Sequence, residues 1–265
     1  MSGVSLLVQS LVKHMGYRDV SREHLVAKVN EHGEIANRIV GAIGTATRAY
    51  EQFSQLRRPY IILMRLALLE YIREDNLIYH GYSGHLLVPP MPHMLRVRIN
   101  APLSMRIPMT MKRLGCDEQR AREHILEEDE QRGRWARFMY GRDIRDPSLY
   151  DIVLNMNRLA THAVCGLLRC VVDNPEFKTT AEIAATLECS LVATRIEAAI
   201  ATDPRTRSLE ITARVSDDRV ALIGPWLEHE QRETVLAMAS ANAGGRRVDY
   251  DTGYLPVVSL PIEDR

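Results

Sequence analysis

Net charge is the first thing this chain lacks. Lys+Arg and Asp+Glu both number 34 in 265 residues. No global field therefore draws the chain to nucleic acid or to anionic lipid, and neither partner is expected. Lysine is scarce too, with Lys13, Lys28, Lys112 and Lys178 the whole complement, so arginine carries nearly all the positive charge. That bias follows from codon usage or from a need for bidentate phosphate binding. The four cysteines, Cys116, Cys165, Cys170 and Cys189, form no CxxC pair and no zinc pattern, and read as reduced, mostly buried thiols. The longest apolar stretch, IILMRLALLEYI, is interrupted by Arg65 and is too short to span a bilayer, so no stable membrane association is expected. The amino terminus has no basic segment leading into an apolar core and cleavage site, and a cytoplasmic location follows as the expectation. GxSxG and Ser-His-Asp or Cys-His arrangements are absent. His80, His85 and His93 have neither helical ligand spacing nor an accompanying carboxylate, so no metal site is expected.

What is present begins inside a helix. Val4, Leu7, Val8, Leu11 and Met15 share one helical face, and Gly16 stands where a left-handed cap is wanted. Tyr17 to Val20 suits a short strand, and Ser21 an N-cap. Residues 21 to 56 read helical through Leu25, Val29, Ile35, Ile39 and Ile43, and Pro59 suits the first turn of another helix. NLIYHG, LRVRINA and YDIVLN are strand candidates. Between them lie APLSMRIPMTMKRLG, a helix interrupted or kinked at Pro108, the charged helix DEQRAREHILEEDEQRGRWARFMYG, and then RLATHAVCGLLRCVV. Strands alternating with helices predict parallel βαβ units and an α/β layer fold.

At DNPEFKTT the character changes. Thr179 and Glu182 are spaced as a capping box before a long helix. A hairpin with alternating apolar residues (SLEITARV, RVALIG), a helix and a last strand after Gly244-Gly245 follow. The expected division is 1–175 and 176–265, the second part a small α+β domain of α-β-β-α-β order.

The stretch from about Leu7 to about Val172 resembles the cytidylate kinase-like family of P-loop phosphotransferases. The resemblance rests on His80-Gly81 closing a strand, Arg96 to Ala101-Pro102, Arg106, the charged segment Glu128 to Arg142, and Asp146-Pro147 with Tyr150-Asp151. It implies a P-loop kinase-like parallel sheet with flanking helices, ATP and Mg²⁺ as cofactors, and a nucleotide or other small phosphate acceptor as partner. It also implies a strand and glycine-rich phosphate loop ahead of the first helix. Only SGVS stands there and no Gly-Lys dipeptide occurs, so the first strand is expected to be lacking. Either it is encoded upstream, the reading favoured here, or the sheet has rearranged, or something else fills the slot. Nucleotide binding by the chain as it stands is expected to be weakened or absent. Strands beside that slot would face a gap with unpaired backbone groups.

The lid of such enzymes maps onto Arg132, Arg134, Arg137 and Arg142. Asp129 and Arg132 are its acid-then-arginine pair, and Arg132, Arg137 and Asp129 are the implied catalytic residues. The same side chains also suit a solvated helix face paired with Glu127, Glu128 and Glu130. Arg57, Arg58 and Arg65 surround the Pro59 helix start, where arginine is disfavoured by the helix dipole and an acceptor phosphate could dock. With Arg134, Arg142 and Asp151 they complete the nucleotide- or phosphate-binding candidates, although Asp151 equally suits a polar strand entry. Gly81-Tyr82-Ser83-Gly84 replaces the Gly-Arg-Asp of related monophosphate kinases, so acceptor identity stays open. The C-terminal segment resembles a BON-type domain through Val220, Leu222, Gly224 and Gly244-Gly245. Three readings stay open: an ATP-dependent phosphotransferase, a catalytically inactive kinase-like module that senses a nucleotide or partner, and a structural assembly protein. Homo-oligomer formation is left open with them.

Overall fold

A computed structural model of the chain describes residues 3–33, 36–38, 41, 54–81 and 83–253. Helix α1, Gly3–Met15, buries Leu7, Val8 and Leu11. Gly16 ends it at φ 72°, its N–H donating to Val12 O at 2.8 Å, as a left-handed glycine cap should. Strand β1, Arg18–Ser21, leads into α2, Arg22–Val29, and Ser21 caps it. The Ser21 hydroxyl accepts from the His24 N–H, while Nδ1 of His24 accepts from the Ser21 N–H at 3.0 Å, a capping box with histidine in the acidic residue's place. The continuous helix expected over 21–56 is corrected here. α2 stops at Val29, a single tight turn covers Asn30–His32, and Gly33 at φ 102° turns the chain away. The expected apolar positions Ile35, Ile39 and Ile43 lie outside the described residues, as does Tyr82. The next long helix, α3, is Ser54–Ile72. Pro59 is inside it, not at its start, and is buried, so one intrahelical bond is given up mid-helix.

The parallel strands form two separate pairs, not the single sheet expected. β2, Leu77–His80, pairs with β1 from Arg18↔Leu77 to Ser21↔His80. β3, Val97–Asn100, pairs with β4, Ile152–Asn155, from Val97↔Ile152 to Asn100↔Asn155. Among the described residues no strand bridges β2 and β3. Side chains join them instead: Ile78, Val97, Ile99 and Leu154 share one apolar cluster with Leu7 and Leu11 of α1 and with Val164 and Leu168 of α6, Thr161–Val172. The main core lies around α3, where Leu63, Leu66 and Leu69 are almost fully buried. Helices α4, Leu103–Leu114, and α5, Glu118–Tyr140, make an arm with its own small core of Ile107, Ala121 and Ile125. Pro108 lies inside α4, which runs on through it to Leu114.

Helix α7, Ala181–Thr202, opens the C-terminal part. Its cap is Thr180, whose Oγ1 accepts from the Ile183 N–H at 3.2 Å. Thr179, the cap expected from sequence, instead donates its hydroxyl to Asp75 at 2.9 Å. Leu187, Leu191, Ala198 and Ala201 of α7 belong to the main core, whereas Val192, Ile196 and Ile200 face a second one. That second core holds the three-stranded sheet. β5, Thr212–Val215, is antiparallel to β6, Arg219–Gly224, and β7, Arg247–Thr252, is parallel to β6, with α8, His229–Asn242, packed on one face. Gly224 is required where it stands, because a Cβ there would meet Tyr250 Oη at 2.8 Å and Ile211 Cγ1 at 2.9 Å. Among the described residues no helix is long and apolar enough to cross a membrane.

Candidate functional site

In open α/β layers, ligands gather at the carboxyl ends of parallel strands. Here those ends carry His80 closing β2 with Gly81 after it, Asn100 closing β3 ahead of α4, and Asn155 closing β4. His80 Nε2 lies 2.8 Å from Asp19 Oδ1 across the β1–β2 pair. Beyond it the chain folds closely over Tyr79, so closely that a Cβ on Gly84 would land on that ring. Ser83 adopts a left-handed conformation at φ 59°, and its hydroxyl is buried without a hydrogen-bond partner among the described residues. The His85 ring stacks at a tilt on Tyr150, centroids 4.6 Å apart, and its buried Nε2 likewise has no partner. Burial, with the Arg96 charge nearby, pushes the His85 imidazole down to about 4, so it is neutral at pH 7. The three histidines are dispersed, and among the described residues no group of three His, Cys, Asp or Glu side chains is placed to hold a metal.

The arm gathers part of the lid set. Arg106 of α4 forks onto Asp129 of α5 with bonds of 2.6 and 2.7 Å. Arg132 lies 3.0 Å from Glu128 and 3.5 Å from Asp129. The guanidinium of Arg137 folds back beside Gly133, 3.5 Å from where a Cβ would stand. Asp129 and Arg132 thus meet, with Arg106 as a third member that the sequence reading quoted only as part of a motif. Arg134 is half-exposed and 3.8 Å from Glu130, and Arg142 follows the Gly141 cap; neither joins this group.

The α3 arginines are occupied by main chain. Arg57 Nε donates to Met139 O at 3.0 Å, and Arg65 Nε to Leu87 O at 2.6 Å. Arg58 donates to Leu209 O at 3.3 Å and also to Ile211 O. Glu197 of α7 is buried near Arg58 and Arg65 and accepts the Ala213 N–H at 3.0 Å. Burial pushes its carboxyl up; the Ala213 bond and the two arginines pull the other way. Glu197 was missed from sequence, although one acidic residue in the apolar run RIEAAIA was a signal. Asp151 clamps the entries of β3 and β4, its oxygens accepting the Arg96 N–H at 2.7 Å and Arg96 Nη2 at 2.7 Å. Burial alone would raise its carboxyl, yet the Arg96 bonds hold it below its usual range. Arg98, also missed, donates to Ile144 O at 2.6 Å and to Asn100 Oδ1 at 3.0 Å. It ties the loop after α5 to the end of β3.

Comparison with known proteins adds the following. The family model described as the cytidylate kinase-like family matches residues 3–158. A cytidylate kinase of Thermococcus kodakarensis is 23% identical over 173 residues, covering 65% of this chain and 83% of its own. Another, of Ignicoccus hospitalis, is 26% identical over 171 residues, covering 63% and 91%. A crystal structure of an uncharacterized protein from Eubacterium ventriosum aligns with a TM-score of 0.46 at 17% identity, covering 65% of this chain and 92% of that one.

Proposed function

Because the chain belongs to the cytidylate kinase-like family, we propose that it is a nucleotide-dependent phosphotransferase. It would move a phosphoryl group from ATP to a nucleoside monophosphate or a similar acceptor. The observation that carries this reading is the guanidinium group of the α4–α5 arm, in which Arg106 and Arg132 converge on Asp129. Phosphoryl transfer is catalysed mainly by positioning and by positive charge on the transferring oxygens, and arginine forks match those oxygens. The side chains of Arg106, Arg132, Glu128 and Asp129 are all 28–41% exposed. Ion pairs at that exposure are worth about 0–1 kcal/mol, so incoming phosphate can replace a carboxylate at small cost.

Arg132 and Arg137 would bear on the transferring group, and Asp129 would orient Arg132 when no nucleotide is bound. Arg134 and Arg142 would meet the outer phosphates. Arg57, Arg58, Arg65 and Asp151 would hold the frame of the site through their main-chain bonds. Arginine donors fit a triphosphate. Mg²⁺ keeps most of its waters and binds largely through nucleotide phosphates, so it would come to the site with the nucleotide. ATP would supply the phosphoryl group, and Mg²⁺ would neutralise its charge. The acceptor would lie by Ser83 and His85, whose buried polar atoms lack protein partners among the described residues. The C-terminal part is proposed as a BON-like accessory unit.

The test is turnover of the full chain with radiolabelled ATP, Mg²⁺ and cytidylate, alongside thermal-shift titration. Transfer is expected, and Arg132→Ala should lower kcat by about 10²–10³. No melting shift at millimolar Mg-ATP would overturn the nucleotide reading. A shift without transfer would leave a non-catalytic nucleotide sensor.

A further inference from the structure

The C-terminal sheet treats its two outer strands in opposite ways. On the β5 side, residues 209, 211 and 213 alternate, so their main-chain groups face one edge. Arg58 fills the carbonyls of Leu209 and Ile211, and Glu197 takes the Ala213 N–H. A half-buried arginine from α3 and a buried glutamate from α7 thus seal that edge. On the β7 side the Arg247 N–H donates to Asp218 O at 3.0 Å, so Arg247, Asp249 and Asp251 turn their main chain toward β6. By the same alternation Val248, Tyr250 and Thr252 turn theirs outward, and among the described residues no strand pairs with them. A cavity of about 390 Å³ is lined by residues of β7, of β6 and of α8. Tyr250 and Arg232 line it from the helical face, and Arg219, Arg247, Asp249 and Asp251 from the other.

The charges on that strand say what fits. We propose that β7 pairs antiparallel with β7 of a second copy of this chain, with Asp249 opposite its symmetry mate on the two-fold axis. This register sets Arg247 opposite Asp251 twice and Val248 opposite Tyr250 twice. Val248 and Tyr250 carry the outward main-chain groups, so they form the hydrogen-bonded pairs. Arg247 and Asp251 then fall in the non-bonded pairs, where side chains come closest. Shifting the axis to Tyr250 would set Asp249 against Asp251. Shifting it to Val248 would leave only three paired residues of β7. Asp249 tolerates its mate because it is already held by Arg219 at 2.9 Å and Arg247 at 3.2 Å. The contact is short, so the dimer is a weak one. It does not depend on the phosphotransferase reading.

Sedimentation velocity on the full chain tests it. At high micromolar concentration the mass should approach twice the chain's 30.1 kDa. Arg247→Asp and Asp251→Arg each place like charges opposite one another twice, and each should weaken dimerisation at least about tenfold, giving monomer. The double variant restores opposite charges in the same register and should restore the dimer. Circular dichroism checks that each variant is folded. A monomeric wild type, a single reversal that leaves the mass unchanged, or a double variant that stays monomeric would each overturn the proposal.

Discussion

The two strand systems of this molecule bury themselves differently. In the C-terminal sheet, β6 alternates cleanly: Val220 and Leu222 are 0% exposed while Arg219 faces solvent. In β2 and β3 every residue is half-buried, whatever its polarity. The first pattern belongs to a one-sided sheet completed by helices α7 and α8. The second belongs to short parallel pairs held by side chains from α1 and α6. Buried polar atoms without a partner follow the same division. Among the described residues the atoms without a hydrogen-bond partner are on Glu70, whose Oε2 still lies 3.6 Å from His32 Nε2, and on Ser83, His85 and His93, all before the C-terminal part. Each such atom costs about 1–3 kcal/mol if nothing satisfies it. In the C-terminal part the described buried side-chain polar atoms are satisfied, as Glu197 is by the Ala213 N–H, while among the described residues the main chain of the β7 edge is left open.

The contrast breaks if the two parts unfold independently. Leu69 in the main core and Ile196 on the second face of α7 are both 0% exposed. Leu69→Ala and Ile196→Ala should each cost about 2–5 kcal/mol. Because α7 contributes to both cores, each change should lower the urea midpoint reported from either part. Trp135 fluorescence in a Trp226→Phe background reads the first part, and amide hydrogen exchange at the buried β6 residues Val220 and Leu222 reads the second. Separate midpoints for the two reporters would show two independent domains.

A smaller effect sharpens the coupling. Arg58→Ala strands the carbonyls of Leu209 and Ile211 and should cost about 1–3 kcal/mol by urea unfolding. Its neighbour Glu197 has a raised folded-state pKa, so the folded chain holds that proton more tightly than the unfolded chain does. Stability from this group is therefore greatest below its ordinary value of 4.5 and declines as pH rises from there toward the raised value. Glu197→Gln should flatten that part of the curve of melting temperature against pH. An unchanged slope would mean that Glu197 does not titrate across folding.

Smaller again is the β3–β4 clamp. Asp151→Asn should cost about 1 kcal/mol, since the Arg96 fork is partly exposed. Its lowered folded pKa reverses the sign: the stability is present above the ordinary 3.8 and is lost as pH falls through the depressed value. The variant should therefore lose less stability than the wild type on acidification, read from melting curves below pH 4.

What sequence could tell follows from the range of each interaction. The caps at Gly16 and Ser21 were legible because they close within four residues. Thr179 and Thr180 are adjacent hydroxyls, and composition cannot choose between them. Pro59 misled because its preference for a first turn is weaker than the burial of α3 around it. The split of the parallel strands was hidden because pairing is long-range. Within the candidate site, Asp129 and Arg132 were legible as neighbours on one helix. The destinations of Arg57 and Arg58 were not, since their carbonyl partners lie 82 and 151 residues away.

The smallest stability effect belongs to Arg134, and it separates charge used for structure from charge kept for a ligand. Arg134 is 50% exposed and 3.8 Å from Glu130, which is 69% exposed, an i,i+4 contact on the outer face of α5. Such pairs contribute about 0.3–0.5 kcal/mol at most, so Arg134→Ala should leave the urea midpoint almost unchanged. Under the phosphotransferase reading it should still raise KM for ATP severalfold with kcat nearly constant, the signature of binding lost equally in ground and transition states. A change in neither stability nor KM would return Arg134 to the solvated face of the helix and leave nucleotide contacts to Arg132 and Arg137 on the same arm.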